Sequence, residues 1–116
     1  MARVIAGRLR HRVQLQRRTV TKNTVGEPQL VWDEIGTVWA DIQPLTGRKL
    51  ESAQRLSSAV SHEIKVRYQA KFADTRMVST YRGFYQGRVF NIHGSINMDE
   101  GQVLVSLIAE EGLSEV

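Results

Sequence analysis

Residues 11–20 alternate between apolar Val13 and Leu15 and polar Gln14, Gln16 and Arg18, the period of two expected of a half-buried strand. The polar, turn-rich run Thr21 to Pro28 then predicts a loop. A second extended region, Gln29 to Gln43, holds Trp32 and Trp39, and Gly36 inside it predicts a kink, a bulge or a turn between two shorter strands. Ala40 and Ile42 alternate there with Trp39, Asp41 and Gln43. Pro44 ends the ladder because it has no N–H to donate, and Thr46-Gly47 supplies turn chemistry. Beyond the break, Leu50, Ala53, Leu56, Ala59 and Val60 recur every three or four positions among Arg48, Lys49, Glu51, Gln54 and Arg55. The segment Thr46 to Val60 is therefore expected to be a short amphipathic helix or a mobile loop projecting from a sheet.

The strand period returns at His62, Ile64, Val66 and Tyr68, which alternate with Glu63, Lys65 and Arg67. Ala70 to Thr75 reads as a connector. Val78 to Tyr85 and Val89 to Ile96 are β-rich runs joined by Gln86-Gly87, the signature of a tight hairpin. A last strand, Val103 to Ile108, follows the turn-like Asn97 to Gly101, and residues 1–9 and 110–116 read as flexible tails. Six or so strands with one inserted helix or long loop indicate an all-β barrel or sandwich. The pattern shows neither internal repeats nor low-complexity segments.

At 116 residues and 41% hydrophobic content, the chain fits a single domain with a modest core. Its longest apolar runs are far short of the roughly 20 residues that span a bilayer, and the start has no signal-peptide core, so no membrane partner and a cytoplasmic site of synthesis are expected. The chain has no cysteine, which removes disulfides and thiolate metal sites and leaves core packing and partners to hold the fold. The net charge of +4 conceals a polar distribution. Residues 1–22 carry Arg3, Arg8, Arg10, Arg12, Arg17, Arg18 and Lys22 with no acid, whereas Asp99, Glu100, Glu110, Glu111 and Glu115 close the chain with no Lys or Arg among them. Such a separation suits subunits that meet with complementary charge, although solvated strand edges produce the same pattern.

Catalytic and metal chemistry find little footing. His11, His62 and His93 stand at no ligand spacing to one another or to an acid, so metal sites and cofactors are not expected. There is no Gly-x-Ser-x-Gly elbow and no phosphate-binding glycine loop. The pairs Asp33-Glu34, Asp99-Glu100 and Glu110-Glu111 are adjacent, and neighbours on a strand point to opposite faces. No enzyme activity is expected. A basic barrel binding single-stranded nucleic acid needs exposed aromatics among its cations, and residues 1–31 contain none. Both tryptophans, and Tyr81, Phe84, Tyr85 and Phe90, are assigned to packing in the core or at an interface.

In order along the chain come Gly7-Arg8-Leu9-Arg10-His11-Arg12-Val13-Gln14-Leu15-Gln16-Arg17, Gly26 through Trp32, and Val38-Trp39-Ala40-Asp41-Ile42-Gln43-Pro44-Leu45-Thr46-Gly47-Arg48-Lys49-Leu50. His62 through Tyr68, Gly87-Arg88-Val89-Phe90-Asn91-Ile92 and a final strand ending at Glu110 follow. Together these resemble the head-tail joining, or head-closure (stopper), proteins of long-tailed bacteriophages. The resemblance implies a small β-barrel whose copies form a ring beneath the portal and its adaptor, sealing the packaged genome and offering a surface to the tail. It implies residence in the virion, assembly in the host cytoplasm, and non-specific contact with packaged double-stranded DNA. Thr46, Gly47, Arg48, Lys49 and Arg55 would then line or close the channel, and Arg8, Arg10, Arg12, Leu50, Leu56, Glu110 and Glu111 would meet neighbouring subunits. Packing of that central segment on a neighbour, with its cations in solvent, is the competing expectation. A tail-terminator protein capping the tail tube and a small basic barrel for single-stranded nucleic acid are the alternatives.

Overall fold

Alternation that places Val13 and Leu15 on one face and arginines and glutamines on the other commits β1 (His11–Lys22) to a sheet with one buried side. The computed structural model describes residues 9–55, 57–97 and 103–112. After β1 come β2 (Pro28–Pro44), α1 (Gly47–Gln54), β3 (His62–Arg67), a 3-10 turn (Ala70–Phe72), α2 (Thr75–Val78), β4 (Tyr81–Tyr85), β5 (Arg88–Asn97) and β6 (Leu104–Gly112). The strands pair antiparallel in the order β1-β2-β3-β6-β5-β4 and close into a barrel, as β1 also pairs with β4 through Gln14↔Phe84 to Arg17↔Tyr81. The chain is thus all-β, with short helices inserted between β2 and β3 and between β3 and β4.

The inward positions of all six strands meet in one core that includes Val13, Leu15, Ala40, Ile64, Val66, Phe90, Val105 and Leu107. Phe72 and Val78, from the connector between β3 and β4, join this core, and the Tyr81 hydroxyl donates to the Lys71 carbonyl at 2.6 Å. The connector is longer than the pattern predicts. Val78 ends a helical turn capped by the Asp74 carboxylate, which accepts from the Arg76 N–H at 2.9 Å, and the strand begins only at Tyr81. Gln86 and Gly87 both have positive φ, 48° and 80°, the backbone of the tight hairpin turn that their sequence predicted.

Gly36 marks a bulge, not a turn: Leu15 pairs with Gly36 and Gln16 with Glu34, so Ile35 is the extra residue in one continuous 17-residue strand. The Lys71 ammonium donates to the Ile35 carbonyl at 3.0 Å and fixes this irregularity. Beyond Arg18 the ladder has only two strands, and the β1–β2 ribbon projects as an arm, which accounts for the 53 × 28 × 27 Å shape. Its tip is held by Asn23, whose side-chain oxygen accepts from the N–H groups of Val25 and Glu27. Val20, Val25 and Leu30 on the arm are all more than half exposed.

Two expectations need correction at the chain ends and at the insert. Leu9 is buried, and β6 runs to Gly112 by pairing with Val89, so Glu110 and Glu111 belong to a ladder and not to a tail. The hydrogen-bond partner that extends β6 lies in β5, about twenty residues away, and is invisible to local pattern. The helix spans only Gly47–Gln54, so Ala59 and Val60 are not part of it. Nor does it project: Leu50 and Ala53 pack against Leu45, Val60 and Ile108 on the outside of the barrel.

At the α1 end of the barrel, Arg88 grips Glu111 through two hydrogen bonds of 3.0 and 2.9 Å, and His62 lies 3.7 Å from the same carboxylate. Burial pushes His62 below the usual imidazole range; Glu111 pulls the other way but is already engaged by Arg88. The side-chain hydrogen bond from Arg88 holds Glu111 below the usual carboxylate range. The neutral imidazole is therefore the form the fold favours, and stability present at neutral pH falls as pH drops below the unfolded value of 6.5. Glu111 adds a further loss below about 4.5. Urea unfolding at pH 7.5, 6 and 5 should show this decline, and His62→Gln should flatten its upper part. Gly83 faces inward, and a Cβ there would lie 2.7 Å from Val13 Cγ1, so Gly83→Ala is expected to lose about 1–3 kcal/mol by urea titration.

Candidate functional site

The central segment places its cations in solvent. Thr46 stands at the N-cap of α1 in extended geometry without a side-chain cap bond, Gly47 opens the helix at φ 58°, and Arg48, Lys49 and Arg55 are exposed. Lys49 lies 3.8 Å from Glu63, whose other oxygen accepts from the Ser106 hydroxyl at 2.6 Å. Between α1 and the outer faces of β5 and β6 is a groove of about 840 Å³, walled by Leu45, Ala53 and Ile108 and edged by Lys49, Glu63 and His93. His93 is the extra residue of a second bulge, between Ile92↔Ala109 and Gly94↔Ile108, and its Nε2 lies 2.8 Å from Glu110.

The residues assigned to subunit contacts separate into distinct places. Arg8 and Leu56 lie outside the described residues. Leu50 is half-buried against its own barrel. Glu110 and Glu111 are engaged within the subunit by His93 and Arg88, so the acidic end that the sequence offers to a neighbour is in part already neutralised. Arg10, just before β1, and Arg12, on the outer face of β1, are exposed. Among the described residues, no group of three or more His, Asp or Glu side chains converges as metal ligands would.

Barrel formation assembles a surface that the linear sequence hides. Arg12 pairs with Trp39 across β1 and β2, and its guanidinium carbon lies 5.7 Å from the indole centroid. On the other side, Asp41 pairs with Lys65, and Arg67 follows the Ala40↔Val66 pair. Alternation puts Arg10, Arg12, Trp39, Lys65 and Arg67 on one outward face. Trp39 is 54% exposed and forms with Leu9, Arg10 and Arg67 a cleft of about 380 Å³. Asp41, the acid among these cations, is buried and accepts from the Gln43 amide at 2.9 Å. Trp32 has a different environment, half-buried with the Arg82 guanidinium 3.7 Å above its ring and Phe84 4.9 Å from the same guanidinium. The sequence assigns both tryptophans to packing in the core or at an interface, and the outward parity of Trp39 within β2 is what sets it apart.

The family model described as phage head completion protein matches residues 4–112, which takes in every strand of the barrel. The chain belongs to the phage head completion protein family. Among solved structures, the solution structure of protein SF1141 from Shigella flexneri 2a superimposes with a TM-score of 0.74 at 23% identity, covering 97% of this chain and 100% of that one. A chain of the virion of a native gene transfer agent particle matches with a TM-score of 0.57 at 20% identity, covering 89% of this chain and 94% of that one. At these identities the two structures speak for the fold. No curated protein matches the sequence. Membership places this head completion protein among structural components of the phage head, which assemble with other virion proteins.

The two tryptophans should separate in a stability measurement. Trp39→Ala is expected to leave the urea midpoint within about 0.5 kcal/mol of the parent, as for an exposed site. Trp32→Ala, which strips the surface beneath Arg82, should lose about 1–3 kcal/mol.

Proposed function

We propose that copies of this head completion protein form a ring beneath the portal and its adaptor, closing the head after DNA packaging and presenting the surface to which the tail attaches. The family match over residues 4–112 carries this reading. The shape of the subunit supports it. A closed barrel has no free sheet edge along most of its wall, so contacts with neighbours fall to appendages and outer faces, and this barrel has a projecting arm at one end and α1 at the other. Three exposed apolar side chains on the arm are what a surface destined for protein contact carries. Heterologous contacts between unlike faces close a ring when the rotation allows it. The protein acts by assembly and not by catalysis.

In this reading Arg48, Lys49 and Arg55, which extend from α1 into solvent, approach the phosphates of the packaged duplex without reading its sequence. Leu50 has a narrower role than the pattern implied: it docks α1 on its own barrel, and through α1 sets where those cations stand.

Purified protein added to connector-bearing heads that leak their DNA tests the assignment. Binding with retained DNA is expected, whereas capping of free tail tubes without head binding would make the protein a tail terminator. Arg48→Ala with Lys49→Ala should bind heads as well as the parent but retain less DNA; full retention would remove the channel role of α1. Leu50→Ser should cost about 1–2 kcal/mol of subunit stability through lost apolar burial and weaken both readouts.

A further inference from the structure

The face around Trp39 is unlike the rest of the outer wall. Four cations, Arg10, Arg12, Lys65 and Arg67, surround an indole that is 54% exposed, and the acid among them is buried beneath a glutamine amide. Three of the four are arginines, whose planar forks bind carboxylates in pairs of hydrogen bonds. The cleft beside the ring is apolar on the Leu9 and Trp39 side and cationic on the Arg10 and Arg67 side. This combination fits a segment that offers one apolar anchor with a carboxylate close by. Single-stranded nucleic acid fits it less well, because stacking platforms present successive aromatics to successive bases, and the described part of this face has one.

The chain itself contains such a segment. Gly112 is followed by Leu113, Ser114, Glu115 and Val116, and in an extended segment residues two apart face the same side, here an apolar group and an acid. We propose that the Trp39 cleft receives this segment from a neighbouring copy, with Leu113 against Leu9 and Trp39 and Glu115 against the guanidiniums of Arg10 and Arg67. The donor is a second copy because the subunit's own segment starts too far away. Gly112 pairs with Val89, Val89 with Phe84, Phe84 with Gln14, and the Arg12↔Trp39 pair lies two residues back along β1. That path is roughly 20 Å around the wall at about 4.8 Å per ladder step and 3.3 Å per residue. Leu113, directly after Gly112, reaches only about 3.6 Å. The route through β3 is longer, since Ala109 pairs with His62 and His62 with Pro44, five residues beyond Trp39.

This contact rests on the ring reading only for the presence of neighbouring copies, and its test does not use heads. The full chain at low micromolar concentration is titrated with a synthetic peptide of residues 112–116 blocked at both ends, and indole emission is recorded, with Trp39→Phe as the blank for Trp32. A saturable blue shift is expected, weakened at least tenfold by Arg10→Ala with Arg67→Ala and weakened also when the peptide carries Glu115→Gln. Because the chain has no cysteine, mixing full-length Leu113→Cys with full-length Arg10→Cys should give a disulfide-linked heterodimer, and Leu113→Cys with Gln29→Cys on the arm should not. Emission unchanged up to millimolar peptide would overturn the proposal. So would a shift produced by oligothymidylate and not by the peptide, which would make the face a nucleic-acid site. An intrachain disulfide formed at high dilution by the Leu113→Cys, Arg10→Cys double variant would overturn the neighbouring copy as donor. Loss of head closure with these binding results intact, or the reverse, would separate the two readings.

Discussion

The short ladder between β1 and β4 is the contact on which the rest of the subunit depends. Four residue pairs, Gln14↔Phe84 to Arg17↔Tyr81, turn a six-stranded sheet into a closed wall. Closure gives every inward side chain a partner across a narrow interior, and a narrow interior is intolerant of volume. Gly83 occupies the joint because Val13 Cγ1 leaves no room for a Cβ there. The chain has no disulfide to compensate for a loosened wall, so the stability of the unit rests on the packing of this interior, the smaller cluster under α1 and the hydrogen bonds around them.

The surfaces available for assembly follow from how the strands outrun the barrel. β1 and β2 are longer than the strands beside them, so the part of the ribbon past Arg18 has no third strand and becomes an arm. The bulge at Ile35 lies near the base of that arm, where an added residue changes strand direction and twist. At the opposite end, Pro44 releases β2 into α1, which covers Ile108 on the outside of β6, while Arg12, Trp39 and Arg67 on the outer face of β1, β2 and β3 are exposed among the described residues. The arm follows from the unequal lengths of strands in a wall that must close, and the helix from the break at Pro44.

Electrostatics act at two levels in this head completion protein. Arg88, Glu111 and His62 form a local cluster that ties the end of β6 to β5 and β3, and its acid is used inside the subunit. Arg12 of β1, Arg67 of β3 and Arg10 just before β1 are set outward beside one indole, that of Trp39. Segregation of charge along the sequence therefore splits into a part that holds a strand in place and a part exposed on the outer wall. Complementary charge of the second kind serves orientation and encounter more than raw affinity.

The strands were legible because period-two alternation is a direct consequence of one buried face: Val13 and Leu15, Ala40 and Ile42, and Ile64 and Val66 all point inward as their parity requires. The Gln86-Gly87 turn and the irregularity at Gly36 were legible too, because the backbone at those positions depends on residues in contact along the chain. The length of the inserted helix was not, since Val60 is apolar for its place in the cluster with Leu45 and Ile108 and not for a helical face. The end of β6 was hidden for the same kind of reason: Glu110 and Glu111 look like a solvated tail until Asn91 and Phe90 are found opposite them. For the site, the sequence by itself determined which residues are basic and outward, and family membership determined the setting in which they act. Only the tertiary structure decided that Arg12, Trp39 and Arg67 share one face, because pairing across strands joins residues far apart in sequence and no local period records that register.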